Sequence, residues 1–143
     1  GAEKEPSTRR SGYRLERNFQ RIDEAIAMST IYAANHLEGI VANICLTESG
    51  NTALLMSRLS SGLTIYGISR HQATCQRMAL YRGVEPLHLD VSGTADTDPR
   101  ALALKALADE GALSPGQRVT ITFGDISGTE GMTNTLQVLT YEG

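Results

Sequence analysis

The stretch Ile40-Val41-Ala42-Asn43-Ile44-Cys45-Leu46-Thr47-Glu48-Ser49-Gly50-Asn51-Thr52-Ala53 passes from a nearly continuous apolar run, through a polar turn with a glycine, into helical spacing. A short apolar run bounded by turn residues suits a strand covered on both faces, so Ile40 to Leu46 is predicted as a buried strand. Ala53, Leu54, Leu55, Arg58 and Leu59 then predict a helix closing at Ser60-Ser61-Gly62. Downstream the same alternation repeats. Thr64 to Ser69 reads as a strand, His71 to Tyr81 as a helix ending before Gly83, and Val84 to Leu89 as a third strand. Val91 to Pro99 reads as a loop. Ala101 to Gly111 follows as a helix, with Leu102, Ala106 and Leu107 inward and Gly111 as its cap, and Ser114-Pro115-Gly116 as a turn. Arg118 to Phe123 and Thr135 to Tyr141 alternate in apolar residues on either side of a glycine-rich stretch, Gly124 to Gly131.

Upstream, Phe19, Ile22, Ala25, Ile26, Ser29, Ala33 and Leu37 fall at three-and-four spacing, which predicts a long amphipathic helix from about Leu15 to a stop at Gly39. Gly1 to Gly12 has no apolar periodicity, so residues 1–14 are expected to form a tail without fixed structure, Gly1 and Ala2 being an expression scar. Residues 15–143 are expected to form one domain. Strands alternating with helices imply a three-layer α/β/α fold around a mixed, mostly parallel five-stranded sheet. No helix separates the last two strands, so the final strand is predicted to be antiparallel.

A chain of 143 residues and 15.4 kDa, 41% hydrophobic and 20% charged, builds one core. It is far short of the roughly 250 residues of an eight-fold β/α barrel. Thirteen basic against sixteen acidic residues give a net charge of −3, which argues against a nucleic-acid partner. The sequence has no long apolar run for a membrane span and its charged N-terminus gives no secretory signal, so a cytoplasmic location is expected. Cys45 and Cys75 lie in apolar stretches without a second ligand at metal spacing and are expected to be buried free thiols.

In an open α/β sheet, ligands bind beyond the carboxyl ends of the strands, where the strand order reverses. Two loops are candidates. Thr47 to Thr52 offers three hydroxyls, a glycine and the N–H groups of a helix start, features that cradle a phosphate. The simpler alternative is that Ser49 or Thr52 only caps the helix. Gly124 to Gly131, with Asp125, Ser127, Gly128 and Thr129, could close over a ligand or serve as a plain hairpin connection. It lacks the GK[ST] ending of an NTPase loop. Among Arg58, Arg70, Arg77 and Arg82, Arg70 is preferred as a ligand cation because it follows the second strand. His36, His71 and His88 have no nucleophile or carboxylate at recognisable spacing. Glu48 and Asp125 would form an acid–base pair or, more simply, accept hydrogen bonds from sugar hydroxyls or repel surplus phosphate charge.

The segments Glu24-Ala25-Ile26-Ala27-Met28-Ser29, Tyr32-Ala33-Ala34-Asn35-His36-Leu37, Leu46-Thr47-Glu48-Ser49-Gly50-Asn51-Thr52-Ala53, Met56-Ser57-Arg58, Ser69-Arg70-His71, Ala79-Leu80-Tyr81-Arg82-Gly83-Val84 and Met132-Thr133-Asn134-Thr135 occur in one fixed order. Together, from about Asp23 to Tyr141, they resemble the C-terminal domain of pyruvate kinase, with wording nearest the bacterial enzymes activated by sugar monophosphates. The resemblance implies an allosteric domain with no catalytic residues and no cofactor of its own. The Mg²⁺ and K⁺ of the family belong to a catalytic barrel that this chain lacks, so the chain alone is expected to be inactive. It also implies that the loop of Thr47, Glu48, Ser49, Gly50, Asn51 and Thr52 holds an effector phosphate, and that the loop Gly124 to Gly131, with Asp125, Ser127, Gly128 and Thr129, closes over the sugar. Homotetramer contacts are expected through Leu136 to Tyr141 and the helix before it.

Relatives of this family activated by fructose 1,6-bisphosphate carry a Lys or Arg in the first loop and a Trp with an Arg around the second. Here stand Glu48 and Asn51, then Asp125 and Ile126. A sugar monophosphate or AMP is therefore the expected effector. The alternatives are a purely structural oligomerisation domain with empty loops and a small hydrolase site built from Glu48, Ser49 and Asp125.

Overall fold

The computed structural model describes residues 21–59, 61–91, 97–124 and 133–143. The expected tail over 1–14 and the predicted helix start near Leu15 lie outside them. The elements run α1 (Ile22–His36), β1 (Ile40–Leu46), α2 (Asn51–Leu59), β2 (Ile65–Ser69), α3 (Gln72–Met78), β3 (Val84–His88), α4 (Pro99–Asp109), β4 (Arg118–Phe123) and β5 (Thr135–Thr140). They form one sheet of order β3-β2-β1-β4-β5. The first four strands are parallel and β5 runs antiparallel to β4. This is the three-layer mixed fold predicted.

From β1 the chain steps outward to β2 and β3, then returns past β1 to β4. Right-handed crossovers in opposite directions put their helices on opposite faces. Accordingly Ala27 and Ile31 of α1, Ala53 and Met56 of α2, and Cys75 and Met78 of α3 pack with Cys45, Ile65 and Val84 on one face. Ala103 and Leu107 of α4 pack with Ala42, Ile44, Ile68, Val119 and Ile121 on the other.

Two expectations change. The buried residues of α1 are Asp23, Ala27, Thr30 and Ile31, whereas Ile22 is 60% exposed and Leu37 39%. The helix thus turns a different stripe inward from the one its apolar spacing marks. Two of the four inward residues are polar, and their needs are met locally. Thr30 Oγ1 donates to Ile26 O at 2.7 Å, and Asp23 accepts from Arg21. The second change is at Pro99, which opens α4 instead of ending a loop. Its fixed φ and missing N–H suit a first helical position. Asp98 caps that helix by accepting from Arg100 N–H at 2.9 Å. In α4 it is Ala103 and Leu107 that are buried, while Leu102 and Ala106 are half-buried.

Gly67 of β2 is buried at the sheet face beneath α3, where an added Cβ would overlap the Met78 thioether. Met78 is itself fully buried, with little room to retreat. Gly67→Ala is expected to cost about 1–3 kcal/mol, as overpacking does. Urea unfolding would register this as a lower midpoint at unchanged slope; an unchanged midpoint would mean that the Met78 side chain yields freely.

Candidate functional site

Strand order reverses between β1 and β4, so the carboxyl edge where β1 leaves for α2 and β4 for β5 is where a sheet of this kind binds ligands. The β1–α2 loop lies at that edge. Its backbone is held by its own hydroxyls: Gly50 N–H donates to Thr47 Oγ1 at 2.8 Å and Asn51 N–H to Ser49 Oγ at 3.2 Å. Thr47 and Ser49 therefore act as local caps. Gly50 sits at φ 82°, and an added Cβ would come within 3.1 Å of Met78 Cγ and 3.3 Å of Thr74 Cγ2. Both the conformation and the close approach of α3 call for glycine here.

The other predicted residues of this loop point three ways. Thr52 is buried and its hydroxyl donates to Thr133 Oγ1 at 2.7 Å, tying the start of α2 to the residues that lead into β5. Asn51 Nδ2 donates to Asp23 on α1 at 2.8 Å. Glu48 turns towards the end of β2, where Arg70 Nε donates to Oε1 at 3.2 Å and His71 Nε2 lies 2.5 Å from the same oxygen. His71 thus meets a carboxylate across 23 residues of sequence, a separation that no recognisable spacing marks. These groups are about half exposed, so the ion pair orients Glu48 more than it stabilises the fold.

Arg77 also belongs here. From α3 its Nη2 donates to Ser49 O at 3.0 Å and to Thr74 Oγ1 at 3.1 Å, while Thr74 Oγ1 donates to Glu48 O at 2.7 Å. Arg58 lies in the last turn of α2 and Arg82 precedes β3, both at the opposite edge of the sheet. His36 stacks on Tyr32 at that edge too, with ring centroids 4.2 Å apart. His88 Nε2 contacts Arg70 O at 3.0 Å. Asp125, Ser127, Gly128 and Thr129 lie outside the described residues.

Among the described residues no contact joins the Ser49 hydroxyl to an imidazole, and no group of three or more His, Cys, Asp or Glu gathers as a metal site. Cys45 and Cys75 are buried free thiols. Burial pushes the Cys45 thiol up to about 11 and raises Cys75 as well, which makes both poor nucleophiles. No helix among the described residues is long and apolar enough to cross a membrane.

The architecture is that of a doubly wound domain with its switch point between β1 and β4, and with Arg70 and Arg77 bonded to the β1–α2 loop from the β2 side. A family model described as "Pyruvate kinase, alpha/beta domain" matches residues 24–139. Pyruvate kinase II of Salmonella typhimurium is 49% identical over 142 residues, covering 99% of this chain and 29% of its own length. A pyruvate kinase of Buchnera aphidicola subsp. Baizongia pistaciae is 48% identical over 139 residues, covering 97% and 29%. That of Haemophilus influenzae is 42% identical over 142 residues, covering 99% and 29%. The chain belongs to the pyruvate kinase family, and it is that family's α/β domain. It spans about 29% of the length of these curated relatives.

Hydrogen bonding from Arg21 holds the Asp23 carboxyl below its ordinary value of 3.8, against the upward push of burial and with help from Asn51. A carboxylate lowered in the folded state contributes stability above its unfolded pKa and loses it as pH falls through the folded value. The stability advantage of the wild type over Asp23→Asn is therefore expected to hold constant above about pH 5 and to shrink under acid. Urea denaturation at a series of pH values measures it, and an advantage insensitive to acid would mean that the ionised carboxylate contributes nothing.

Proposed function

We propose that this domain binds a phosphorylated small-molecule effector, a sugar monophosphate or AMP, at the β1–α2 loop on the carboxyl edge of the sheet. It would serve as the allosteric and oligomerisation domain of a cytoplasmic pyruvate kinase. The whole enzyme transfers phosphate from phosphoenolpyruvate to ADP, giving pyruvate and ATP in glycolysis. The observation that carries this reading is the convergence of Arg70 and Arg77 on a hydroxyl-bearing loop at a helix start. Two guanidinium groups beside one carboxylate, Glu48, leave a positive balance suited to a single phosphate, and a helix N-terminus favours the same charge.

In this reading Thr47, Ser49, Gly50 and Asn51 line the phosphate side, and Thr52 supports the loop through its bond to Thr133. Glu48 accepts from sugar hydroxyls while Arg70 and His71 hold it in place. Asp125, Ser127, Gly128 and Thr129 would close the far side; they enter on the family resemblance and their sequence position. Mg²⁺ and K⁺ would be held by the catalytic part of the enzyme and not by these residues. An assembly role has support of its own in β5, an edge strand whose Val138 is 41% exposed.

Parallel calorimetric titrations with glucose 6-phosphate, ribose 5-phosphate, AMP and fructose 1,6-bisphosphate test the reading. Saturable binding of a monophosphate is expected, with the bisphosphate weaker. Ser49→Ala should weaken it modestly, and Arg77→Ala by about 10- to 100-fold, as losing a charged hydrogen bond does. If nothing binds at millimolar concentration, the effector role fails for this chain, and a dimer in sedimentation equilibrium would then favour assembly.

A further inference from the structure

The helix α1 leads through a short turn into β1 and packs back along the sheet, which brings its N-terminus to the carboxyl edge beside the β1–α2 loop. Its first turn carries Asp23, whose side chain is 4% exposed. Asp23 Oδ1 accepts from Arg21 Nε at 2.9 Å, and Oδ2 accepts from Arg21 Nη2 at 2.6 Å and from Asn51 Nδ2 at 2.8 Å. Asn51 is the first residue of α2, and its backbone N–H donates to Ser49 Oγ in the loop. A continuous chain of hydrogen bonds thus runs from Ser49 through Asn51 and Asp23 to Arg21. Arg21 is where the polypeptide coming from upstream joins α1.

We propose that Asp23 is a positioning residue for the β1–α2 loop, and that through Asn51 it couples the ordering of that loop to the N-terminus of α1. Three features favour a coupling element over an incidental surface bond. A buried carboxylate that loses a partner is left with an unmet acceptor, so the two helix starts favour being ordered together. The contact spans 28 residues of sequence and joins two separate helices at their first turns, where amides have fewest helical partners. Asn51 flanks Gly50, whose left-handed conformation sets the course of the loop. A ligand that fixes the loop therefore also fixes the Asn51 amide that Asp23 grips, and differential affinity for the ordered loop becomes differential affinity for the clamped α1 terminus.

The ligand part rests on the effector reading; the coupling itself does not, and amide hydrogen exchange on the 143-residue chain separates them. Without ligand, Asn51→Ala is expected to speed exchange at Ala25 and Ile26 of α1, and Asp23→Ala at Gly50 and Leu54, each by about fivefold. The double variant should exceed neither single one. Effects confined to each variant's own helix, or adding in the double variant, overturn the coupling. If Asp23→Ala does not fold, the response of Ala25 and Ile26 to Asn51→Ala decides alone. With glucose 6-phosphate added, slowed exchange is expected at Gly50 and at Ala25 in the wild type, but at Gly50 only in Asn51→Ala. Failure of the wild type to bind any of the phosphate ligands would remove the effector reading, while the ligand-free comparison still decides the coupling.

Discussion

Everything at the carboxyl edge of this domain depends on β1 being hydrogen-bonded in parallel along both of its sides, to β2 and to β4. A parallel strand cannot be reached by a tight turn, so each neighbour needs a crossover. Because the two neighbours lie in opposite directions, the helices of the two crossovers cover opposite faces, α2 on one and α4 on the other. The switch point between β1 and β4 is where those two directions part. Were β4 placed beyond β3 instead, the same residues would form a sheet without a switch point, and the β1–α2 loop would face only its neighbour on one side.

The same central strand explains an unusual core. Asn43 of β1 is fully buried on the face covered by α1, where its Oδ1 accepts from Thr120 Oγ1 at 2.6 Å and its Nδ2 donates to Ser61 Oγ at 3.3 Å. Thr120 and Thr122 of β4 are buried on that face, as is Thr30 of α1 above them. With Thr52 and Thr133, they line α1's side of the sheet with hydroxyls and an amide. Each of these groups needs its partner, and Asn43 with Thr120 holds the two central strands together by side chains as well as by their ladder.

Those same residues mark the limit of what could be read from sequence. The strands at 40–46 and 118–123 were legible to the residue, the first as a nearly continuous apolar run with polar ends and the second by its strict alternation of apolar residues. The neighbouring strands differ by one residue at an end, and there the ladder continues as single bonds such as Leu89 N–H to Ser69 O at 2.9 Å. The inward face of α1 was hidden because it mixes Asp23 and Thr30 with Ala27 and Ile31, and periodicity counts only apolar residues. The two candidate loops were visible from composition. Their partners were not: Asp23, Arg77 and Thr133 reach the first loop across 28, 28 and 81 residues, and no local pattern records such distances.

The reversed last strand has a mechanical consequence. Thr140 pairs with Arg118, so β5 ends at the amino edge of the sheet, while α1 begins at the carboxyl edge. The two ends of the described domain thus leave it in opposite directions, along the strand axis. Tension applied between them would load the β4–β5 ladder in shear, with its hydrogen bonds sharing the force, instead of peeling them off one by one. A body joined upstream of α1 and a partner gripping β5 would pull against each other through the stiffest direction of the sheet.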